Sequence, residues 1–402
     1  MTERFTGSFT QQEPIPEEAI QAAISVMQGG RLHRYNTVPG EVAETVLLEQ
    51  EFAASVGAAY CLAVASGGYA IGTALRACGV QPGDKVLTNA FTLAPVPGAI
   101  AGVGGVPVYV GVTKALVIDL DDLAGKLEQA KVLLLSHMRG HLCDMDALMA
   151  LCDAAGVIVI EDCAHTMGAT WNGKPSGTFG RFGCFSTQTY KHINSGEGGL
   201  LVSDDADGMA RATMLSGSYM LYGTHAAGPP PEAFATARYE TPNISGRMDN
   251  LRAAILRPQL RNLGTQAARW NARYRVVEAG LRDVPGLTLV PRSAKEGFVA
   301  SSFQFLLLEW SDDAIAEVQA RCAARGVELK WFGGAEPVGF TSRYDSWRYA
   351  PSDRMPASDR ILSGIVDMRL PLTFSEDDCA LIARIIRSEV SAVYQAMQPQ
   401  PA

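Results

Sequence analysis

The chain has 402 residues, with 34 Lys+Arg against 42 Asp+Glu and a formal net charge of −8. That acidic balance, without any Lys/Arg-rich run, argues against nucleic acid as the main partner, because neutralising phosphates takes clustered cations. With 47% hydrophobic and 19% charged residues the chain can bury a large core and is not disordered. At about 150 residues per domain, two or three units are expected.

The eight cysteines are scattered, with no CxxC pair. This predicts reduced, mostly buried thiols in a cytoplasmic protein. The opening Met1-Thr-Glu-Arg-Phe5 lacks the apolar run of a signal peptide. The uncharged stretch between Lys85 and Lys114 is long enough on paper to span a bilayer. Pro95, Pro97 and Pro107 would break one helix there, so it reads as strand, loop, short helix and strand. No membrane partner is expected.

In chain order, Pro14 and Pro16 lead into a helix over Glu17–Met27, stopped by Gly29-Gly30. Val42, Val46, Phe52 and Val56 share one face of a helix over Glu41–Val56. Short apolar strands and helices then alternate. Strands are predicted at Cys61–Ala65, Lys85–Thr88, Val106–Val110, Val132–Leu135 and Val157–Ile160. Helices are predicted at Tyr69–Ala77, Asp121–Gln129 and Asp144–Ala154. This is the pattern of βαβ units around a mostly parallel sheet. Asn172-Gly173 reads as a hairpin turn. The surrounding Gly168–Lys174 falls short of a phosphate-binding loop, because Pro175 replaces its Ser/Thr. Gly183–Ser186 and Leu200–Val202 read as further buried strands. Residues 216–242 form a long Tyr/Gly/Pro-rich loop of the kind that is usually functional or disordered. A helical stretch from Gly246 to Leu281, kinked at Pro258, bridges to a smaller C-terminal domain. That domain ends in a helix capped by Ser375 with Asp378, with Leu381, Ile382, Ile385, Ile386, Val390 and Val393 on its apolar stripe.

In a parallel sheet, ligands bind beyond the carboxyl ends of the strands, and three such ends carry reactive residues. Ser66-Gly67-Gly68 opens a helix after a strand and suits a phosphate, or simply a tight turn. The apolar strand from Val157 ends in Glu161-Asp162, with His165 close behind; such an acid could serve a metal, a base or a ring nitrogen, or could only cap. Lys191 lies in a segment of little charge between Phe185-Ser186 and Gly196-Glu-Gly-Gly199, where burial would lower its pKa and suit it to an aldehyde. His137 and His141 lack a completing ligand, so no metal is expected. Gly102-Val-Gly-Gly105 lacks the dinucleotide spacing. Trp171, Trp331, Tyr219 and Tyr222 are pocket or packing candidates by position.

A phosphate cradle, an acid for a pyridine nitrogen and an amine for an aldehyde are what pyridoxal phosphate requires. From about Gln28 onward the chain resembles the DegT/DnrJ/EryC1/StrS family of pyridoxal-phosphate aminotransferases. The matching pieces are Ala65–Gly68, Glu161–His165, Phe185-Ser186, Lys191 before Gly196–Gly199, and Asn243 with Arg247–Ala254. The resemblance implies an α/β chain of fold type I: an N-terminal arm and helix (1–27), a large cofactor-binding domain with a mostly parallel sheet (28–260) and a smaller C-terminal α+β domain (261–402). It implies catalytic roles for Lys191, through an aldimine, for Asp162 at the ring nitrogen and for His165 beside the ring. Gly67, Gly68 and Ser186 would hold the phosphate and Phe91 would stack on the ring. Asn243 would reach the phosphate of the neighbouring subunit in a homodimer.

The implied reaction moves an amino group from glutamate or glutamine, by way of pyridoxamine phosphate, to a keto compound in a biosynthetic route. The acceptor stays open between a keto sugar, a cyclitol ketone and a smaller ketone. Elimination, dehydration or replacement on the same fold, and a non-catalytic regulator, are the alternatives.

Overall fold

The computed structural model describes residues 3–398. In chain order its strands begin with β1 (Tyr60–Val64), β2 (Lys85–Asn89), β3 (Val106–Val110), β4 (Val132–Ser136) and β5 (Ile158–Asp162). The hairpin β6 (Thr170–Trp171) and β7 (Lys174–Pro175) follows, turning at Asn172-Gly173 as expected. Next come β8 (Phe182–Ser186) and β9 (Gly199–Ser203). The central sheet has seven strands in the order β1-β9-β8-β5-β4-β2-β3, and β9 alone runs against the others.

Along β4 the side chains alternate between two cores. Val132 and Leu134 pack with Ile71, Leu75 and Phe182, while Leu133 and Leu135 pack with Met145, Leu148 and Cys152. A strand apolar at every position therefore covers both faces of a parallel sheet, and helices cover each face.

A second sheet uses β10 (Thr288–Leu289), β12 (Ser302–Leu306), β13 (Lys330–Trp331) and β14 (Ile365–Arg369), ordered β10-β12-β14-β13 and antiparallel throughout. The remaining pair, β11 (Glu296–Gly297), joins the β6–β7 hairpin. Phe303, Phe305, Val366 and Met368 bury one face against the helix Glu376–Met397. Phe5 and Phe9 from the N-terminal arm join this core, their rings edge-on to Phe374 at 4.9 and 5.0 Å. The C-terminal helix carries the predicted box: Ser375 Oγ accepts the Asp378 N–H and Asp378 Oδ2 accepts the Ser375 N–H.

Several boundaries differ from expectation, each for a local reason. The helix expected from Glu41 starts at Glu44, because Glu41 is held by Arg31 and the Val38 N–H. The stretch 121–129 divides at Gly125 into the helix Leu120–Ala124 and a short turn, Leu127–Gln129. The long bridge is two helices, Asn250–Arg261 and Leu263–Leu281, meeting at Asn262; Pro258 lies inside the first without ending it. The 216–242 loop holds a helix, Phe234–Glu240, anchored where Tyr222 stacks on buried Phe234 at 4.1 Å. The uncharged stretch after Lys85 is β2, the helix Pro95–Gly102 and β3. Among the described residues no helix is long and apolar enough to cross a membrane. All eight cysteines are free thiols, and Cys78 is the one not fully buried.

Candidate active site

β1, β4, β5 and β8 all deliver their carboxyl ends to one cavity of about 620 Å³. At the end of β1, Ser66 caps the helix Gly67–Ala77, its Oγ accepting the Tyr69 N–H at 3.0 Å. Gly67 faces Ser186 at the end of β8 so closely that a Cβ on it would stand 2.8 Å from the Ser186 Cβ. A Cβ on Gly199 would stand 2.5 Å from the Ser66 carbonyl carbon, so the glycine-rich entry to β9 lets that strand pass behind the same turn. The result is a bare helix N-terminus, two serine hydroxyls and no obstructing side chain, a surface suited to phosphate oxygens.

Asp162 ends β5 and is held from two sides. Its Oδ1 accepts the Ala164 N–H at 3.1 Å and its Oδ2 accepts the Ser136 hydroxyl at 3.0 Å. Ser136, at the end of β4, is itself fixed by Thr92 Oγ1 at 2.9 Å and by Asn89 Oδ1, which accepts its N–H at 2.8 Å. Burial raises the Asp162 pKa above its ordinary value, opposed by the Ala164 N–H and by the charge of Lys191. A protonated ring nitrogen opposite this carboxylate would offset the cost of burial.

Lys191 reaches the cavity from the turn between β8 and β9. Its Nζ lies 2.9 Å from His165 Nε2. Burial, with Arg139 and Arg369 adding to it and Asp162 opposing, brings the lysine down to about 7. Burial first, and then the Lys191 charge, holds His165 well below the usual histidine range. The next helix braces the turn: Gln259 bonds both the Asn194 N–H and the Asn194 carbonyl.

The structure thus gathers Gly67, Gly68, Asp162, His165, Ser186 and Lys191 around one space. Phe91 does not line the cavity. Its ring is buried edge-on against Phe332 at 5.1 Å, inside the apolar cluster between the two sheets, and Leu93 lines the cavity wall instead. Asn243 is exposed, its Oδ1 accepting from Ser245, and does not line this chain's cavity. Trp171 is buried, donating to Asp146, and Trp331 donates to the Ser363 carbonyl. Tyr219 and Tyr222 also stand outside the cavity. Residues the sequence reading missed also line it: Tyr190, next to Lys191, and Gln12, Arg139, Trp270, Trp347 and Arg369 from other parts of the chain.

His137, Glu161 and Cys163 lie together in the manner of a metal cluster. The Glu161 oxygens are already engaged by the N–H groups of Gly177, Phe179 and Gly180 and by His137 Nε2 at 3.0 Å. This buried carboxylate pins the loop before β8 and has no free lone pair facing a ligand.

Residues 14–387 match the DegT/DnrJ/EryC1/StrS aminotransferase family. The chain is 30% identical over 319 residues to the L-glutamine:scyllo-inosose aminotransferase of Streptomyces griseus, covering 78% of this chain and 74% of that one. It is 33% identical over 243 residues to the 3-amino-5-hydroxybenzoate synthase of Amycolatopsis mediterranei, 60% of either chain. Its fold is similar to the crystal structure of a 3-amino-5-hydroxybenzoic acid synthase, with a TM-score of 0.82 and 24% identity over 96% of this chain and 99% of that one. The mostly parallel seven-stranded sheet with its second, smaller sheet is accordingly that of fold type I. The chain belongs to the DegT/DnrJ/EryC1/StrS family of pyridoxal-phosphate-dependent aminotransferases.

Proposed function

We propose that this chain holds pyridoxal phosphate on Lys191 and uses it to move an amino group from glutamine or glutamate to a keto sugar, a cyclitol ketone or a related ketone. The observation that carries this reading is the convergence of Lys191, Asp162 and the Gly67–Ser186 cradle on one cavity from separate strand ends. Ser66, Ser186 and the first amides of the helix Gly67–Ala77 would take the phosphate, and Asp162 the ring nitrogen. Leu93, in place of Phe91, offers the apolar wall. When bound, the cofactor supplies an electron sink that stabilises charge at the substrate carbon.

The chain's own residues do the rest. Ser136, Asn89 and Thr92 keep the Asp162 carboxylate aimed into the cavity. A lysine near 7 is available at neutral pH both as a free amine and as its protonated form, the condition for moving a proton in either direction. His165, neutral by burial, takes part in a hydrogen bond to that amine without adding a competing charge.

The acceptor class and the donor are supported by the inosose aminotransferase among the relatives, whose name gives L-glutamine as donor. The chain is further read as a homodimer. Tyr219, Met220, Leu221 and Ile244 expose apolar side chains around Asn243, a surface suited to a second copy. Light scattering tests this: a mass of two chains is expected, with Asn243→Ala weakening cofactor affinity at unchanged mass, whereas a monomer that binds the cofactor fully would refute the shared site. Purified protein loaded with pyridoxal phosphate, then treated with L-glutamine, tests the activity. Loss of the visible cofactor band and its return with scyllo-inosose are expected in the wild type and not in Lys191→Ala.

A further inference from the structure

We propose that a small second chamber beside Lys191 is a water site through which this lysine exchanges protons with solvent, and that His192 is the residue that positions the water. This rests on the aminotransferase reading above and adds a proton route to it.

The chamber measures about 70 Å³. Lys191, Gln12 and Trp270 line both it and the main cavity, so the lysine stands in the partition between the two spaces. The N-terminal segment Gln12–Pro16 forms one wall. That segment is tied down by Glu13, whose carboxylate accepts two Arg269 N–H groups at 2.6 and 2.8 Å, and by the Gln11 carbonyl, which accepts Thr373 Oγ1 at 3.3 Å. Opposite stand Asn194 in the turn before β9, and Gln259, Asn262 and Gln266 along the bridge helices. Pro14, Pro16 and Asn262 are exposed, so the chamber meets solvent at its own rim.

His192 lines this chamber and not the main cavity. Its side chain is 5% exposed, and neither ring nitrogen has a protein partner. The ring lies edge-on to Trp270 with centroids 5.1 Å apart, a contact that a phenylalanine could make equally well. A buried imidazole with both nitrogens unmatched is costly, whereas a polar space with room for several waters supplies both partners. Burial, and then the charge of Lys191, brings His192 down to about 3, so the ring stays neutral. A neutral imidazole donates through one nitrogen and accepts through the other. It therefore gives a chain of waters a direction, each molecule accepting from one neighbour and donating to the next.

Lys191 has to lose or regain a proton to serve as base and then as acid. A substrate seated in the main cavity screens the amine from solvent on that side. Through the chamber, an N–H bond of the ammonium breaks as the first water gains a proton. Each water passes one on, and the last proton leaves at the rim, so the lysine loses one proton and solvent gains one. The reverse sequence restores it.

The test begins with crystals of the cofactor-free protein that diffract well enough to show ordered solvent. Water is expected within hydrogen-bond distance of both His192 nitrogens, continuing to Lys191 on one side and to Asn262 on the other. A dry chamber, or a protein group on either nitrogen, would overturn the proposal.

The second measurement is isotopic. Loaded protein is given L-glutamine deuterated at the α-carbon in ordinary water, and mass spectrometry reads the deuterium retained in the amine form of the cofactor. Exchange at Lys191 washes the label out, so little is expected in the wild type. His192→Phe keeps a ring and loses both nitrogens, and should retain severalfold more label. His192→Gln, which donates and accepts, should return toward the wild type. A packing role predicts the opposite order, with phenylalanine harmless and glutamine disruptive. That order, or equal retention in all three proteins, would overturn the proposal. If His192→Phe fails to fold, the wild-type solvent structure decides alone. If no amino acid alters the cofactor spectrum, the aminotransferase reading fails, while the crystals still decide whether water joins Lys191 to the rim.

Discussion

The Lys191 ammonium nitrogen and the His165 Nε2 stand 2.9 Å apart in a wall where burial disfavours charge on both. Two bases this close hold one proton more easily than two. Lys191, brought to about 7, should therefore react with an aldehyde at pH values where an ordinary lysine is silent. Borohydride trapping of pyridoxal on the cofactor-free protein, quantified by peptide mass, is expected to rise with an inflection near 7. Asp162→Asn removes the charge that supports the ammonium form and should move the inflection lower. An inflection above 9 would contradict the burial argument.

The same shift predicts a pH dependence of stability. The folded lysine titrates near 7 and the unfolded one near its ordinary 10.5, so the unfolded chain binds the extra proton between those values. Stability from this group is lowest below 7 and rises across that window. Urea midpoints of the cofactor-free protein and Lys191→Met should differ at pH 6, the variant being the more stable, and converge toward pH 10. A gap that widens with rising pH would have the wrong sign.

Adjacent glycines at the phosphate cradle should respond differently. Alanine at position 67 meets the Ser186 side chain and backbone, whereas at 68 the nearest atom is the Ser66 Oγ at 4.0 Å. Overpacking costs about 1–3 kcal/mol, so Gly67→Ala should weaken cofactor binding by about ten- to a hundredfold. Gly68→Ala should change it little. Fluorescence titration of the cofactor compares the two, and equal effects would remove the close approach as the reason for glycine.

Glu161 makes a prediction about folding rather than chemistry. Burial works against its charge, but His137 and the N–H groups of Gly180 and Gly177 hold its pKa below the ordinary value. Glu161→Ala leaves those donors unmatched and should cost about 3–5 kcal/mol in urea unfolding. Loss of activity in that variant should track loss of fold. A stable but inactive Glu161→Ala would instead give this residue a part in the reaction.

Much of the central sheet could be read from apolar runs, because strands buried on both faces need every position apolar. The three site segments stood out because Gly, acid and Lys follow such runs at the strand ends where ligands bind. The small sheet was less legible: β10 and β13 are two residues long and leave no pattern. Arg139 and Arg369 are separated by most of two sheets, and nothing local marks them as neighbours of Lys191. Phe91 and Leu93 show the limit at finer grain. In an irregular turn, two residues decide which side chain meets the cavity and which the core, and no periodicity fixes the choice. The break in the long bridge falls at Asn262, four residues beyond Pro258, where no proline or glycine marks it.

The central claim is that Lys191 carries the cofactor of an amino-transfer reaction. It is tested most directly by following the visible absorbance of the pyridoxal-phosphate-loaded protein as L-glutamine and L-glutamate are added, alongside Lys191→Ala. The account predicts that the wild-type band is lost to the amine form of the cofactor and restored by a keto acceptor, and that the variant shows neither change. A wild-type band that forms but yields to no amino acid would contradict it.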